Sequence, residues 1–247
     1  MREIVIFGVG GFGRETAFLI EDINLLKPQW KLLGFLDEDS GKQGSRVNGY
    51  PVLGGIDRFL HNPEVFVVCA IGSPLARKKI VGILEQANAR FPNIIHPHVI
   101  CYHGNSFGVG NIVSSGNILN VDVTVGNHVC FEMASTIGHD VVIEDFVSLM
   151  PGVNVSGNVV LEEGCYLGTG CKIIQGKRIG KWAIVGAGAV VIHDVPPYST
   201  VAGVPATVIK TRQAAAIEVN IEENSESRSM VVGELLLEKA KEKHRSW

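Results

Sequence analysis

A hydrophobic residue recurs at every sixth position through residues 107–191, without interruption. This period matches neither the 3.6-residue period of an α-helix nor the two-residue alternation of a β-strand, so it indicates an internal structural repeat. The fifteen residues of this hydrophobic column are Phe107, Val113, Leu119, Val125, Phe131, Ile137, Ile143, Leu149, Val155, Leu161, Leu167, Ile173, Ile179, Val185 and Val191.

Two further columns keep the same period. Four positions after the hydrophobic column stands a small or β-branched residue, as at Val123 and Cys165, which suits the same inward side of a short strand. Three positions after it stands a residue type that tolerates positive φ, as at Gly110 and Asp122, and this column predicts a tight corner. His128 falls in the corner column and is therefore predicted to be structural. Short strands that alternate with corners and share one inward face predict a β-solenoid.

The first 95 residues follow a different pattern. Apolar runs predict three buried parallel strands, at residues 2–7, 30–36 and 65–71. Helices are predicted after the first and third strands, over residues 14–26 and 74–88. The turn Gly8-Val9-Gly10-Gly11-Phe12-Gly13 fits the G-x-G-x-x-G motif, in which backbone N–H groups approach a phosphate at a helix N-terminus. NAD binding normally uses two such βαβ halves and only one is present, so the motif alone is weak evidence for NAD.

Composition narrows the classes of partner. The 247 residues carry 22 Lys and Arg against 25 Asp and Glu, a net charge of −3 that gives no reason to expect nucleic acid. We expect no signal peptide and no membrane span, because no run approaches the roughly 18 apolar residues that a span needs. The five cysteines lack metal-ligand spacing, as do His96, His98 and His103, so we expect a reduced, cytoplasmic protein without a metal.

The hexapeptide phrases of the repeat resemble those of the hexapeptide acyltransferases, as in Ile137-Gly138-His139-Asp140-Val141-Val142 and Val185-Gly186-Ala187-Gly188-Ala189-Val190. In that family three hexapeptides form one coil of a left-handed triangular β-helix, which implies between four and five coils here. With its half-Rossmann domain, the chain is similar to the sialic acid O-acyltransferase-like proteins, which include N-acetyltransferases acting on nucleotide-linked bacillosamine and perosamine precursors. This resemblance covers residues 2–210.

The fold implied is an α/β half-Rossmann domain over residues 1–95, followed by an all-β left-handed parallel β-helix over residues 96–210. Residues 211–247 are predicted to form a C-terminal extension with a helix over 233–245. By analogy with the family, the small N-terminal domain holds the nucleotide of a sugar substrate. The residues expected to bind it are Gly10, Gly11, Phe12, Asp37 and Gly72.

Transfer of an acyl group from a thioester requires a base for the nucleophile's proton and a donor for the developing oxyanion. His139 falls at an outward corner and aligns with the general-base histidine of the resembling enzymes. Asp140 is predicted to orient its imidazole, although an Asp is also locally favoured at positive φ. One coil later, Gly157 and Asn158 occupy the corner where the family places a backbone N–H on the thioester carbonyl. Many relatives carry a second polar residue, often a histidine, one and a half repeats after the base. Ser148 stands near that position here, so no second histidine contact is expected.

The resemblance also implies the ligands and the assembly. Acetyl-CoA is the expected acyl donor, without a metal, and family members form trimers with coenzyme A and acceptor between adjacent subunits. Besides Gly157 and Asn158, the residues expected to bind coenzyme A are Gly186, Ala187, Gly203 and Pro205.

The leading hypothesis is therefore an acetyl-CoA-dependent N-acetyltransferase, with His139 as its general base. Its acceptor is predicted to be an amino group of a UDP- or GDP-linked sugar used in surface glycan biosynthesis. Two alternatives stay open: O-acetylation of a sugar such as sialic acid, and a non-catalytic scaffold that binds nucleotide sugars.

Overall fold

The computed structural model describes residues 1–60, 62 and 64–214. The predicted helix over 233–245 lies outside these residues. The N-terminal part is a five-stranded sheet flanked by helices. Its elements in chain order are β1 (Arg2–Phe7), α1 (Gly11–Leu26), β2 (Trp30–Leu36), β3 (Arg46–Val47), β4 (Tyr50–Gly54), α2 (Ile56–Leu60), β5 (Phe66–Cys69) and α3 (Pro74–Gln86).

The sheet has the strand order β3-β4-β2-β1-β5, and all neighbours are parallel except β3 and β4. The first two strands have the predicted bounds, and the third is shorter than predicted. The hairpin of β3 and β4 was not predicted, because its Gly- and Pro-containing segment lacks a clear alternation. From β1 the chain adds β2 and β4 on one side of the sheet and then β5 on the other side, so the order of strands switches direction between β1 and β5. In open α/β sheets, ligands bind at such a switch point, outside the carboxyl ends of the strands.

From Ile94 onward the chain winds into a three-sided parallel β-helix. Two-residue strands form its sides: β6 (Ile94–Ile95), β7 (Ile100–Cys101), β8 (Ser106–Phe107), β9 (Ile112–Val113), β10 (Ile118–Leu119), β11 (Thr124–Val125), β12 (Cys130–Phe131), β13 (Thr136–Ile137), β14 (Val142–Ile143), β15 (Ser148–Leu149), β16 (Asn154–Val155), β17 (Val160–Leu161), β18 (Tyr166–Leu167), β19 (Lys172–Ile173), β20 (Arg178–Ile179), β21 (Ile184–Val185) and β22 (Val190–Val191). A longer hairpin, β23 (Ser199–Ala202) and β24 (Thr207–Thr211), ends it.

Each short strand pairs with the strand 18 residues further along, as in Cys130 with Ser148, so three hexapeptides make one coil. The covered face, named for the domain packed on it, holds β6, β9, β12, β15, β18, β21, β23 and the antiparallel β24. The second face holds β7, β10, β13, β16, β19 and β22, and the third face holds β8, β11, β14, β17 and β20. Seven parallel strands on the covered face enclose six coils, more than the four to five predicted. The β-helix is longer than predicted because Ile94–Ile95, expected to belong to the N-terminal domain, pairs with Ile112–Val113 as its first strand.

Three corners join the faces, and we name each by a residue or element. The His139 corner joins the second and third faces and consists of residues 103–104, 121–122, 139–140, 157–158 and 175–176. The α3 corner joins the third and covered faces and consists of residues 109–110, 127–128, 145–146, 163–164 and 181–182. The Ala187 corner joins the covered and second faces and consists of residues 115–116, 133–134, 151–152, 169–170 and 187–188.

The second residue of each corner has positive φ, which confirms the predicted corner column. The sequence predicts this for glycine, Asp, Asn and His, but Phe146 (φ 59°) and Trp182 (φ 56°) also adopt it. Stacking explains these bulky exceptions. The Phe146 ring lies parallel to His128 with centroids 5.3 Å apart, and Trp182 fills the space that a β-carbon on Gly164 would occupy. Contacts between coils thus offset the local backbone strain.

Small and β-branched residues fill the interior as predicted. Val123, Val153 and Ala189, for example, are fully buried in one continuous core with the hydrophobic column. Burial raises the pKa of Cys171 to about 12, so this thiol packs as a small apolar side chain rather than as a reactive group.

The N-terminal domain packs on the covered face. Ile112 and Cys130 of that face join the core of the domain, and Phe146 at the α3 corner joins the cluster around α3. In a three-sided helix the corner opposite the covered face is the one between the other two faces. The N-terminal domain and the His139 corner therefore lie on opposite sides of the β-helix.

Candidate active site

His139 projects from a corner between β13 and β14, and its side chain is 46% exposed. Its Nδ1 lies 2.7 Å from Asp140 Oδ2. An ionised carboxylate can only accept a hydrogen bond, so this contact holds the proton on Nδ1 and leaves the lone pair on Nε2. The pair thus presents an oriented, accessible base at the surface of the β-helix.

Gly157 lies directly beneath the imidazole in the next coil. A β-carbon added to Gly157 would stand 2.5 Å from His139 Nε2 and 2.6 Å from Cε1, so only glycine leaves room for the ring. The N–H of Asn158 donates to the His139 carbonyl at 2.9 Å. No group in the described part of the chain accepts a hydrogen bond from the Gly157 N–H. A free donor beside the base is the arrangement that an oxyanion requires.

The residues expected to bind a nucleotide come together at the carboxyl ends of β1, β2 and β5. Gly10 and Gly11 are exposed at the start of α1, with open space where a β-carbon would stand, and Phe12 follows them in the first turn. The Asp37 carboxylate accepts a hydrogen bond from the Val9 N–H at 3.1 Å, so it holds the glycine turn in place. Gly72 follows β5 at the same edge.

The residues expected to bind coenzyme A form two groups. Gly157 and Asn158 stack below His139 and Asp140, whereas Ala187 lies in the Ala187 corner and Gly186 directly precedes it. Gly203 and Pro205 belong to the loop between β23 and β24. Two hydrogen bonds fix this loop to β22. The Val190 N–H donates to the Gly203 carbonyl at 3.0 Å, and the Val190 carbonyl accepts from the Ala206 N–H at 2.8 Å.

One chain therefore keeps the predicted site residues in three separate places. The predicted base and oxyanion donor lie at the His139 corner, and the second group of residues expected to bind coenzyme A lies at and beside the Ala187 corner. The nucleotide-binding edge belongs to the domain on the covered face.

Ser148 does not stand in a catalytic position. It is fully buried on the covered face, where its Oγ donates to the Gly72 carbonyl at 3.0 Å and accepts from Arg77 Nη2 at 2.9 Å. The N-terminal domain covers this residue, so Ser148 belongs to the contact between the domains and not to the His139 corner. Arg77, which contacts Ser148, was not predicted from the sequence. The signal was a cation on the apolar stripe of α3, one and two turns before the buried Ile80 and Leu84.

His128 is structural, as its place in the corner column predicts. Its ring is buried between Phe146 and Phe91, and neither ring nitrogen makes a hydrogen bond. Burial, reinforced by the positive charge of Arg77, lowers the pKa of His128 to about 4. The imidazole is therefore neutral at pH 7.

Glu132 is buried where α1 meets the covered face. Burial, reinforced by the charge of Glu15 on α1, raises the pKa of Glu132 to about 7. A proton on Glu132 therefore lessens the repulsion between these two carboxyl groups at the contact between the domains.

The histidines at the domain junction have protein partners. His96 Nε2 lies 3.4 Å from Asp22 Oδ2, and its Nδ1 accepts from the His98 N–H at 3.0 Å. Within residues 1–60, 62 and 64–214, no three His, Cys, Asp or Glu side chains are grouped so that they could hold a metal ion. In the same part of the chain, no helix is both long and apolar enough to cross a membrane.

A β-helix of hexapeptide coils with an accessible His–Asp pair at a corner, joined to a small α/β domain, defines a hexapeptide-repeat acyltransferase. Comparisons with known proteins support this class and narrow it. Residues 3–84 match the family described as the PglD N-terminal domain. The GDP-perosamine N-acetyltransferase of Escherichia coli O157:H7 is 32% identical over 220 residues, which cover 83% of this chain and 95% of the relative.

Solved structures agree. The acetyltransferase domain of PglB from Neisseria gonorrhoeae FA1090, in complex with acetyl coenzyme A, is 29% identical with a TM-score of 0.76, over 84% of this chain and 99% of the other. A second structure is perosamine N-acetyltransferase from Caulobacter crescentus, in a variant with one histidine replaced by asparagine, bound to CoA and GDP-perosamine. It is 27% identical with a TM-score of 0.76, over 85% of this chain and 98% of the other.

The chain belongs to the family of hexapeptide-repeat N-acetyltransferases that includes GDP-perosamine N-acetyltransferase. The predicted fold class, a half-Rossmann domain followed by a left-handed parallel β-helix, is confirmed.

Proposed function

We propose that this protein transfers the acetyl group of acetyl-CoA to an amino group of a UDP- or GDP-linked sugar, in the biosynthesis of a surface glycan. The observation that carries the proposal is the His139–Asp140 pair, whose free Nε2 lies over Gly157. The nucleotide-binding edge of the N-terminal domain supports a nucleotide-linked acceptor, as do relatives that are named for GDP-perosamine.

In the proposed mechanism the neutral amine of the sugar attacks the carbonyl carbon of the thioester. A C–N bond forms, and the carbonyl oxygen becomes an oxyanion that the Gly157 N–H stabilises. His139 Nε2 accepts the proton that the nitrogen loses, and the Asp140 carboxylate stabilises the resulting imidazolium. When the C–S bond breaks, the thiolate of coenzyme A leaves and takes the proton from His139. The products are the amide and free coenzyme A, and His139 returns to its neutral form.

We further propose that two copies of the chain build each site, within a homotrimer. One copy contributes His139 and Gly157, and its neighbour contributes the nucleotide-binding edge. The separation of these groups within one chain supports this assembly. Apolar side chains around the His139 corner also remain partly exposed, namely Ile118 (37%), Val121 (39%) and Val142 (40%). Their burial against a second copy would stabilise the trimer.

The test is release of free thiol from acetyl-CoA in the presence of a panel of UDP- and GDP-linked amino sugars. The native protein should release thiol with one of these sugars. His139→Ala should still bind coenzyme A but lose the activity. No release with any amino sugar, followed by release with a hydroxyl acceptor such as sialic acid, would replace the proposal with O-acetylation.

One observation favours that second candidate. The serine acetyltransferase of Haemophilus influenzae is 36% identical over 101 residues, so similarity to this chain extends beyond enzymes named for amino sugars. The match covers 37% of this chain and 38% of the relative, whereas the N-acetyltransferase match covers nearly the whole of both. The longer match favours N-acetylation.

A further inference from the structure

Arg77 on α3 is fully buried, yet its hydrogen-bond partners are all neutral oxygen atoms. Two of its nitrogens, Nε and Nη2, donate into the β-helix. Nε donates to the His128 carbonyl at 2.9 Å, while Nη2 donates to the Phe146 carbonyl at 2.7 Å and to Ser148 Oγ at 2.9 Å. Nη1 turns back and donates to the Ile71 carbonyl at 2.5 Å. A single side chain therefore joins the end of β5 to two coils.

Burying a charge without a counter-ion is expensive, and an apolar side chain commonly replaces a buried ionic group without loss of stability. Simple adhesion between the domains therefore does not require an arginine here. A planar fork with five N–H donors, however, fixes directions as well as distances. What it fixes is the Ile71–Gly72 segment, the part of the nucleotide-binding edge that lies beside the β-helix.

Ser148 completes the same connection from the other side. Its Oγ accepts from Arg77 and donates to the Gly72 carbonyl, so the hydroxyl lies between the guanidinium and the segment that it holds. Gly72 thus receives hydrogen bonds from both residues, since Arg77 Nη1 also lies 3.4 Å from its carbonyl oxygen.

We propose that Arg77, with Ser148, is a positioning residue for the nucleotide-linked substrate. It holds the Ile71–Gly72 segment at a fixed place on the β-helix, so that the acceptor reaches the thioester in the reactive orientation. This inference rests on the proposed function, because it assigns the nucleotide to that edge.

The test compares Arg77→Met with Lys78→Met, a matched control one residue away on α3. Lys78 also ties α3 to the β-helix, through an ion pair with Glu163, but it does not contact the Ile71–Gly72 segment. In Arg77→Met, the KM for the nucleotide sugar should rise on the order of tenfold while the KM for acetyl-CoA stays within about twofold. Lys78→Met should leave both constants within about twofold.

Ser148→Ala provides a milder variant that keeps the guanidinium bound to carbonyl groups, and its KM for the sugar should rise about threefold. This variant decides the question if Arg77→Met does not fold. An unchanged KM for the sugar in a folded Arg77→Met would overturn the proposal. An equal rise in Lys78→Met would also overturn it, because it would show general loosening of the domain contact.

Calorimetric measurement of UDP and GDP binding to the native protein and to the same variants separates this inference from the proposed function. If the native protein binds a nucleotide but acetylates no sugar, the proposed function fails. The positioning role is then judged by whether Arg77→Met, and not Lys78→Met, weakens nucleotide binding. If the native protein binds neither nucleotide, both proposals are wrong.

Discussion

Replacing Gly157 by alanine tests the geometry of the proposed site with one methyl group. Gly157 is the only glycine among the fourteen first corner positions from 109 to 187, so the corner itself accepts a side chain there. The β-carbon of the introduced alanine would stand 2.5 Å from His139 Nε2, about 0.9 Å closer than the 3.4 Å at which ordinary contact begins. The imidazole must therefore move by nearly 1 Å. A misplacement of this size lowers the rate of an oriented reaction by roughly 100-fold.

The expected result is a fall in kcat on the order of 100-fold in the thiol-release assay, with the KM for acetyl-CoA changed by no more than a few-fold. Because the His139 ring is exposed and can swing outward, the free energy of unfolding should change by no more than about 0.5 kcal/mol. Alanine keeps the backbone N–H, so the loss would report displacement of the ring and not loss of the oxyanion donor.

Two controls sharpen this experiment. Gly82→Ala on α3 adds a methyl group into open space and should leave kcat unchanged. In the His139→Ala background, Gly157→Ala should lower kcat no further, because both changes act through the same ring. A kcat like that of the native enzyme in Gly157→Ala would refute the geometry, as would a further loss in the double variant.

Three more predictions concern ionisable groups. Asp140→Asn should lower kcat about 10- to 100-fold without unfolding the corner, since Asn158 adopts the same positive φ one coil away; unaltered kcat would remove Asp140 from the mechanism. Because the pKa of His128 falls from 6.5 to about 4 on folding, native stability should decrease as the pH falls through this range, by about 3 kcal/mol in total. His128→Phe should abolish that decrease in urea titrations. A decrease that persists in this variant would show that the buried imidazole is not its source. The pKa of Glu132 is instead raised from 4.5 to about 7, so stability should decrease as the pH rises through that range. Glu132→Gln should therefore stabilise the protein at pH 8 and not at pH 4, and equal effects at both pH values would contradict this.

The sequence predicted the β-helix well because one coil demands the same residue types in every repeat. Inward positions must be apolar and small, and corners must accept positive φ, so both columns are visible in the chain. The predictions failed where this pattern is broken by neighbours. Phe146 and Trp182 adopt positive φ because each packs on the residue one coil earlier, His128 and Gly164, and a bulky residue type does not itself indicate positive φ. The first coil escaped prediction because Ile94–Ile95 lies before the uninterrupted column.

The candidate site was predicted less completely than the fold, and the reason is geometric. His139, Asp140 and Gly157 are related by the repeat itself, so their proximity follows from the period of 18 residues. The place of Ser148 does not follow from the period, because it depends on which face the N-terminal domain covers. Arg77 shows the same limit, because its partners in the β-helix lie 51 to 71 residues away.

The architecture explains why such a site should need two copies of the chain. A three-sided β-helix has flat faces and a filled interior, so it offers no deep cleft of its own, and its reactive side chains stand on the outer surface. The N-terminal domain supplies a ligand-binding edge, but Arg77 and Ser148 fix that edge to the face opposite His139. Within one chain, the contact that we propose to position the acceptor thus also keeps it away from His139. In the proposed trimer, the corner of a second copy would lie against this edge and remove the conflict without moving either domain.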